Sequence, residues 1–383
     1  MEGSHGVTRV LHLSVVHKPD DPRIYERECR TLAHAGYEVM YMVPGAEPGR
    51  DDAGVILAPL PVRGRKTRFL SSVEITQALR RLRPDVLHVH DPELLTLFPA
   101  ARTLVPRLVY DMHEYVVEAV GNKPYLPSRV RPVASQTTAV AQRSLAALGS
   151  GVVVVVEDQL DALGERPKLR LVLPNYPRVE RFEGAEPVPE LAADPRLKLI
   201  YVGSLSRARG CTMMLDVMER LAPDEAVLYL GGTFNDPALE LEVGERLATG
   251  LANRVKVLGR VPPPELPRYL AAADVVWVPS QPDLQYSHPT IPTKLLEGMT
   301  MGLAALVSDM PGRGELVRGE ACGLAAEPGL EGHLDGVRRL LADRSYLPTM
   351  GARGRSAVER RYSWEAVQGD LVDFYGSLCA GLP

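Results

Sequence analysis

Short runs of β-branched and other apolar residues alternate along the chain with longer stretches whose apolar positions recur every three or four residues. The first pattern suits a strand covered on both faces of a sheet, the second an amphipathic crossover helix. In the first half this predicts strands at 9–16, 38–43, 55–59, 86–90, 108–111 and 152–156, the last being five consecutive valines. Helical periodicity falls at 24–35, 72–82, 93–104 and 133–148. Between Pro174 and Pro195 the pattern lapses into Pro177, Pro187 and Pro189 with Glu183 and Glu186, the composition of a linker. Alternation then resumes, with strands at 197–202, 227–230, 255–258, 274–278 and 304–308. Helices are expected at 211–221, 237–248, 264–272, 293–301 and 330–341, and two more across 346–378.

Strands separated by helical stretches make parallel sheets with crossovers, so the fold class is α/β with two Rossmann-like domains. The expected division is a first domain at 1–175, a linker at 176–195 and a second domain at 196–362. A last helix, at about 363–380, is expected to return to the first domain. No tandem repeat of 20–50 residues is present; what recurs is the βα unit. Open parallel sheets hold ligands beyond the carboxyl ends of their strands, which directs attention to the residues following each strand.

A chain of 383 residues with 45% hydrophobic and 24% charged positions can bury two cores. Its net charge of -4 argues against a nucleic-acid partner. Residues 1–175 carry 22 basic and 20 acidic groups, against 22 and 28 in the remainder. That mild excess is compatible with an anionic acceptor, or with peripheral contact to a membrane surface, near the first half. Cys29, Cys211, Cys322 and Cys379 are widely spaced, without a C-x-x-C pair or histidines at ligand spacing. The expectation is reduced thiols, no metal and a cytoplasmic location. The run 10–16 contains His12 and Ser14 and reads as a buried strand.

Two segments carry candidate chemistry. After the strand at 197–202 comes Gly203-Ser204-Leu205-Ser206-Arg207-Ala208-Arg209-Gly210. Gly203 permits a tight turn, and Gly210 opens a helix whose N-terminus attracts an anion. Arg207 and Arg209 add forked donors suited to a diphosphate; a solvated basic loop is the alternative. The second segment is Pro289-Thr290-Ile291-Pro292-Thr293-Lys294-Leu295-Leu296-Glu297. Pro292 suits a first helical turn. The amides there, the Thr293 hydroxyl and Lys294 can meet phosphate oxygens. Glu297, one turn on, can accept from the vicinal hydroxyls of a ribose, or simply complement the helix dipole.

From Pro292 through Gly298-Met299 and Gly302 to Val307-Ser308-Asp309-Met310-Pro311-Gly312, the sequence resembles the donor-binding segment of the group-1 (family four) GT-B glycosyltransferases. Val202-Gly203-Ser204-Leu205 with Arg209-Gly210 is similar to that family's phosphate loop. The run Val257-Leu258-Gly259-Arg260-Val261 resembles the stretch whose backbone reads the nucleobase. The runs 85–91, ending in His88-Val89-His90-Asp91, and Asp111-Met112-His113-Glu114 resemble acceptor-domain strand ends, and Tyr362-Ser363-Trp364 the C-terminal crossover. The resemblance implies two domains facing a central cleft, with a nucleoside-diphosphate sugar as co-substrate and no cofactor. It implies transfer of the sugar, with retention and without a metal, to the hydroxyl of a saccharide, a lipid-linked saccharide or a natural-product aglycone. His113, Arg209 and Glu297 would be catalytic. The donor would lie on Gly203, Ser204, Arg207, Arg209, Gly210, Arg260, Val261, Thr290, Ile291, Pro292, Thr293, Lys294 and Glu297. Asp21, Arg23, His90, Asp91, His113 and Glu114 would face the acceptor.

Three departures qualify this. The glycine-rich loop after the first strand is replaced by the polar His17-Lys18-Pro19-Asp20-Asp21-Pro22-Arg23, in which Asp21 and Arg23 suit either a ligand or a salt-bridged turn. Ser204 stands where the family has a phosphate-binding arginine. Pro289 stands where many members have the first of two glutamates eight positions apart. A sugar-nucleotide epimerase or phosphorylase of the same architecture, or a non-catalytic nucleotide-sugar binding protein, is the alternative reading. An oxidoreductase is not supported, because no G-x-G-x-x-G follows a predicted strand.

Overall fold

The computed structural model describes residues 7–64, 71–113, 115, 117, 129–282 and 288–382. The chain divides into two compact units, Met1–Asn175 with Val367–Pro383, and Tyr176–Ala366. The first is built on eight strands: β1 (Arg9–Leu13), β2 (Glu38–Pro44), β3 (Gly49–Arg50), β4 (Ile56–Leu60), β5 (Val86–Val89), β6 (Arg107–Met112), β7 (Gly151–Val154) and β8 (Leu169–Val172). They lie in the order β3-β4-β2-β1-β5-β6-β7-β8, all parallel except β3 against β4. The second unit holds β9 (Leu197–Val202), β10 (Ala226–Gly231), β11 (Val255–Gly259), β12 (Val275–Val278), β13 (Ala304–Ser308) and β14 (Gly323–Ala326). Their order is β11-β10-β9-β12-β13-β14, parallel throughout. Each sheet is doubly wound, so the order in which strands are added reverses between β1 and β5 in one and between β9 and β12 in the other.

Alternation within single strands explains why the second sheet is covered on both faces. Leu197, Leu199 and Tyr201 of β9 join Trp277 and Leu306 in one core, while Ile200 joins Val276, Val278, Ala305 and Val307 in the other. The segment 176–195, expected as a linker, packs onto this second core through Phe182 and Leu191. Its prolines disguised that contribution. The helix Trp364–Cys379 starts in the second unit, where the Trp364 amide donates to the Pro177 carbonyl (2.8 Å). Its later turns belong to the first unit, where the Tyr375 hydroxyl meets His88 Nδ1 at 2.7 Å.

Several elements depart from the periodicity reading. Strands β3, β8 and β14 were not expected, since a two-residue strand, Leu-Arg-Leu-Val and Gly-Leu-Ala-Ala carry little β-branched signal. The helix expected at 93–104 is a 3₁₀ turn, Pro92–Leu97, followed by a short α-helix, Phe98–Ala101. Pro92 and Pro99 remove amide donors there. The helix Arg313–Gly319 was missed between its glycines.

The first unit is pinned by Arg23. Its Nε and Nη2 each donate to the Asp111 carboxylate at 2.9 Å, at the end of β6, and its Nη1 donates to the Leu173 carbonyl (3.0 Å) and Asn175 Oδ1 (2.8 Å). Glu28 Oε1 lies 3.0 Å from Nε. The Asp21 carboxylate accepts from the Arg23 and Ile24 amides, both at 2.9 Å, and closes the turn. The polar loop is therefore a salt-bridged turn, and the expected acceptor contact by Arg23 is corrected, since it is 5% exposed and committed to protein partners; Asp21, half-exposed, closes the turn through one carboxylate oxygen. Removing one partner of a buried pair strands the other charge, at a cost of about 3–5 kcal/mol. Arg23→Met is expected to lower stability by about that amount in urea unfolding; a loss under about 1 kcal/mol would remove the pair as the anchor of this unit.

Candidate functional sites at the strand ends

In the second unit the loops after β9 and β12 meet at Gly210. This residue has φ 80° at the N-cap of the helix Cys211–Arg220, and an added Cβ would collide with the Pro279 carbonyl. The Gln281 amide donates to the Ala208 carbonyl (2.8 Å) across the same junction. The switch point thus brings the phosphate-type loop against the chain leading to the helix Thr293–Thr300.

Lys294, half-buried in the first turn of that helix, donates from Nζ to the Tyr201 hydroxyl at 2.7 Å, with Nζ 4.1 Å from the ring centre. The Tyr201 hydroxyl in turn donates to the Ser204 carbonyl (2.8 Å), and a Cβ at Gly203 would lie 2.6 Å from Nζ. Burial, then the charges of Arg209 and Arg313, outweigh Glu297 and push the Lys294 ammonium down to about 7. Those four residues therefore form one electrostatic group at the ends of β9, β12 and β13. Arg313, 1% exposed, is the member that sequence reasoning missed; its signal was the Gly312-Arg313 helix start directly after the Ser308-Asp309-Met310-Pro311 strand end.

Other expected donor residues fall into place less directly. Arg207 is exposed and paired with Glu242 (2.6 Å), with Thr212 Oγ1 at 3.3 Å, so its charge is turned along the helix Pro237–Arg246. Pro292 is the N-cap (φ -62°, ψ 130°) and not the first helical residue, so the helix begins at Thr293. The Thr290 amide donates to the His288 carbonyl (2.7 Å), and Ile291 packs on the core. Pro289 leans on the next strand end, its carbonyl 2.8 Å from where a Gly312 Cβ would lie. The Ser204 hydroxyl is spent on Asn235. Arg260 and Val261 follow the edge strand β11, with Arg260 exposed and Val261 half-buried beside Gly231.

In the first unit, four histidines converge behind the strand ends. His12 Nδ1 and His90 Nε2 are 2.9 Å apart, and His90 Nδ1 lies 3.2 Å from Asp111 Oδ2. His88 stacks on His90 with ring centres 4.7 Å apart. His113, one-tenth exposed, has Nδ1 3.6 Å from Asp111 Oδ2 and Nε2 3.2 Å from His17 Nε2. His12, Glu28, His88 and His90 bring four ligand-type atoms within 4.8 Å of one another. His12 and His90 are hydrogen-bonded to each other and His88 to Tyr375, and the Arg23 guanidinium already occupies the edge of Glu28, so the cluster reads as a proton network.

His90 and Asp91 are each 2% exposed, so the expectation that they touch an acceptor is corrected: they support the residues in front of them. Asp91 accepts from the Val15 amide (2.6 Å) and the Ser14 hydroxyl (2.9 Å), and lies 3.2 Å from His17 Nδ1. Burial works to raise the Asp91 carboxyl, but these donors outweigh it and hold it below the usual range. Asp111 is held well below, Arg23 and the histidines overcoming burial, while burial and Asp111 push Glu28 well above. Glu114 lies outside the described residues.

Burial, then His90, holds His12 and His88 well below the ordinary histidine value, and burial lowers His90 as well. The unfolded chain binds protons at about 6.5 where the folded one does not, so their stabilisation is present above that pH and lost below it. The urea midpoint is expected to fall between pH 7.5 and pH 5.5, by up to about 1.4 kcal/mol per histidine per pH unit. An unchanged midpoint would mean that these rings are not buried neutral.

Comparison with known proteins gives this geometry a family. Residues 196–343 match the family model described as Glycosyl transferases group 1, and residues 23–207 the one described as Glycosyl transferase 4-like domain. A GDP-mannose-dependent alpha-(1-6)-phosphatidylinositol monomannoside mannosyltransferase of Mycobacterium tuberculosis is 28% identical over 167 residues, 43% of this chain. The chain spans 42% of that relative's length. Sucrose-phosphate synthase from Thermosynechococcus elongatus superimposes with a TM-score of 0.76 at 20% identity, over 97% of this chain and 99% of that one. Anabaena HepE in complex with UDP-glucose gives 0.73 at 16%, over 96% and 99%. No helix among the described residues is long and apolar enough to cross a membrane. Two doubly wound parallel sheets, with family matches that run from residue 23 to residue 343, place the chain in the group-1, family-four glycosyltransferases of GT-B fold.

Proposed function

We propose that the protein transfers a sugar from a nucleoside-diphosphate sugar to an acceptor hydroxyl, with retention and without a metal or cofactor. The observation that carries this is the cationic group of Arg209, Lys294 and Arg313 set beside the helix starts at Gly210 and Thr293. Breaking the anomeric C–O bond builds negative charge on the departing diphosphate, and fixed cations and amides aimed there lower the barrier. Lys294 is held by Tyr201 and Arg209 sits on the loop pinned at Gly210, so little reorganisation is needed as that charge develops. Glu297, one helical turn along, is placed to accept from ribose hydroxyls. In the first unit His113 presents a ring nitrogen for an acceptor or sugar hydroxyl. Retention rests on the family resemblance, with the leaving phosphate taking the acceptor proton on the same face. The acceptor is a hydroxyl-bearing saccharide, lipid-linked saccharide or aglycone. A cytoplasmic location, with peripheral membrane contact, fits the absence of a spanning helix among the described residues and the slightly basic first half.

The relatives' names specify GDP-mannose and UDP-glucose, so the test begins with thermal shifts against uridine, guanosine and adenosine diphosphates and their sugars. A ligand at 100 times its dissociation constant is expected to add about 2.7 kcal/mol of stability. No shift with any of them would overturn the reading. Arg209→Ala is expected to lower kcat by on the order of 100-fold; near wild-type turnover would remove Arg209 from the mechanism. Lys294 is charged below about 7 and neutral above it, and a bound diphosphate favours the charged form. Diphosphate affinity is therefore expected to fall as pH rises from 6.5 to 8.5. Lys294→Arg should flatten that dependence, and an equally steep fall in that variant would show that another group controls it.

A further inference from the structure

The contact between His17 and His113 raises a question of protons. Their Nε2 atoms lie 3.2 Å apart, with the rings edge to face at 68°. His17 Nδ1 lies 3.2 Å from Asp91 Oδ1, and a carboxylate held ionised by its donors can only accept there. Nδ1 of His17 carries a proton, and in the neutral ring Nε2 is then a lone pair. On the other side His113 turns Nδ1 toward the Asp111 carboxylate at 3.6 Å, which favours N–H over a lone pair at that atom as well. Two neutral rings so arranged would point two lone pairs at each other across 3.2 Å.

We propose that His17 and His113 form one hydroxyl-binding dyad that holds a single proton between its two Nε2 atoms. A ligand hydroxyl replaces the direct N···N contact, accepting that proton's hydrogen bond from one ring and donating its own hydrogen to the other. No covalent bond is made or broken in this step. A hydroxyl fits because it alone among common sugar substituents donates and accepts through one atom; a fluorine in its place accepts weakly and donates nothing. The dyad is braced from both sides. Asp91 and Ser14 fix His17; Asp111 and His90 back His113, with Arg23, Glu28 and His12 behind them. His17 thereby becomes a substrate-contacting residue that the loop sequence alone does not reveal.

This reading rests on the transferase proposal for the identity of the ligand, but not for the state of the rings, so the two fail separately. The first measurement is nitrogen-15 NMR of histidine-labelled wild-type protein, with His17→Gln and His113→Gln assigning two of the nine histidines. Both rings are expected to carry a proton on Nδ1, and replacing either is expected to shift the Nε2 signal of the other. Protons on Nε2 of each ring, or no change in one ring when the other is replaced, would overturn the dyad. The second measurement uses the sugar nucleotide found by thermal shift and follows transfer against pH. His17→Gln is expected to lower kcat about 100-fold and to change the pH profile, as loss of a proton-handling group does, while nucleoside-diphosphate affinity stays within twofold. Wild-type kcat, acceptor KM and pH profile in that variant would overturn it. If no sugar nucleotide binds, the transferase proposal falls, and the NMR result alone decides the dyad.

Discussion

A doubly wound parallel sheet can gather chemistry at only one place, and both units of this protein obey that constraint. Where the crossovers change direction, between β1 and β5 and between β9 and β12, neighbouring strands send their following loops to opposite sides and leave a crevice at their carboxyl ends. His17, Asp91 and the turn at Arg23 follow β1 and β5; Gly203 to Gly210 and the approach to Thr293 follow β9 and β12.

The two crevices handle charge differently. In the second unit, backbone carbonyls are spent on closing the loop, while Arg209, Lys294 and Arg313 gather around helix starts. Lys294 makes the arrangement responsive: burial and its two cationic neighbours remove the excess stability of its charged form, so an arriving anion has a strong effect on it. The serine in place of a phosphate-binding arginine is met, in this unit, by a lysine and a second arginine from later in the chain. In the first unit, one guanidinium neutralises Asp111 beside a raised Glu28, and three buried histidines stay neutral. Charge is thus concentrated where a diphosphate would sit, and protons are managed where a hydroxyl would.

This division also explains which expected residues moved. Arg23, His90 and Asp91 were expected to face a ligand and are instead buried against protein partners. Burial of a charge is tolerated only with partners, and Arg23 and Asp91 each have at least two. Arg207 was expected at the phosphates but lies 2.6 Å from Glu242, and an exposed cation with a carboxylate at hand pairs with it.

The sequence by itself determined the alternation of strand and helix, the restart after residue 195, the family, and the loops that follow β9 and precede Thr293. These are local properties: periodicity, proline and glycine placement, and contiguous motifs. It could not decide the partners of Arg23, the pairing of His17 with His113, or the inclusion of Arg313 beside Lys294. Each joins residues that periodicity treats identically and that lie up to 152 positions apart. Only the order of strands in the sheet brings such residues within reach, and only the low dielectric of the interior then fixes which proton or charge each one keeps.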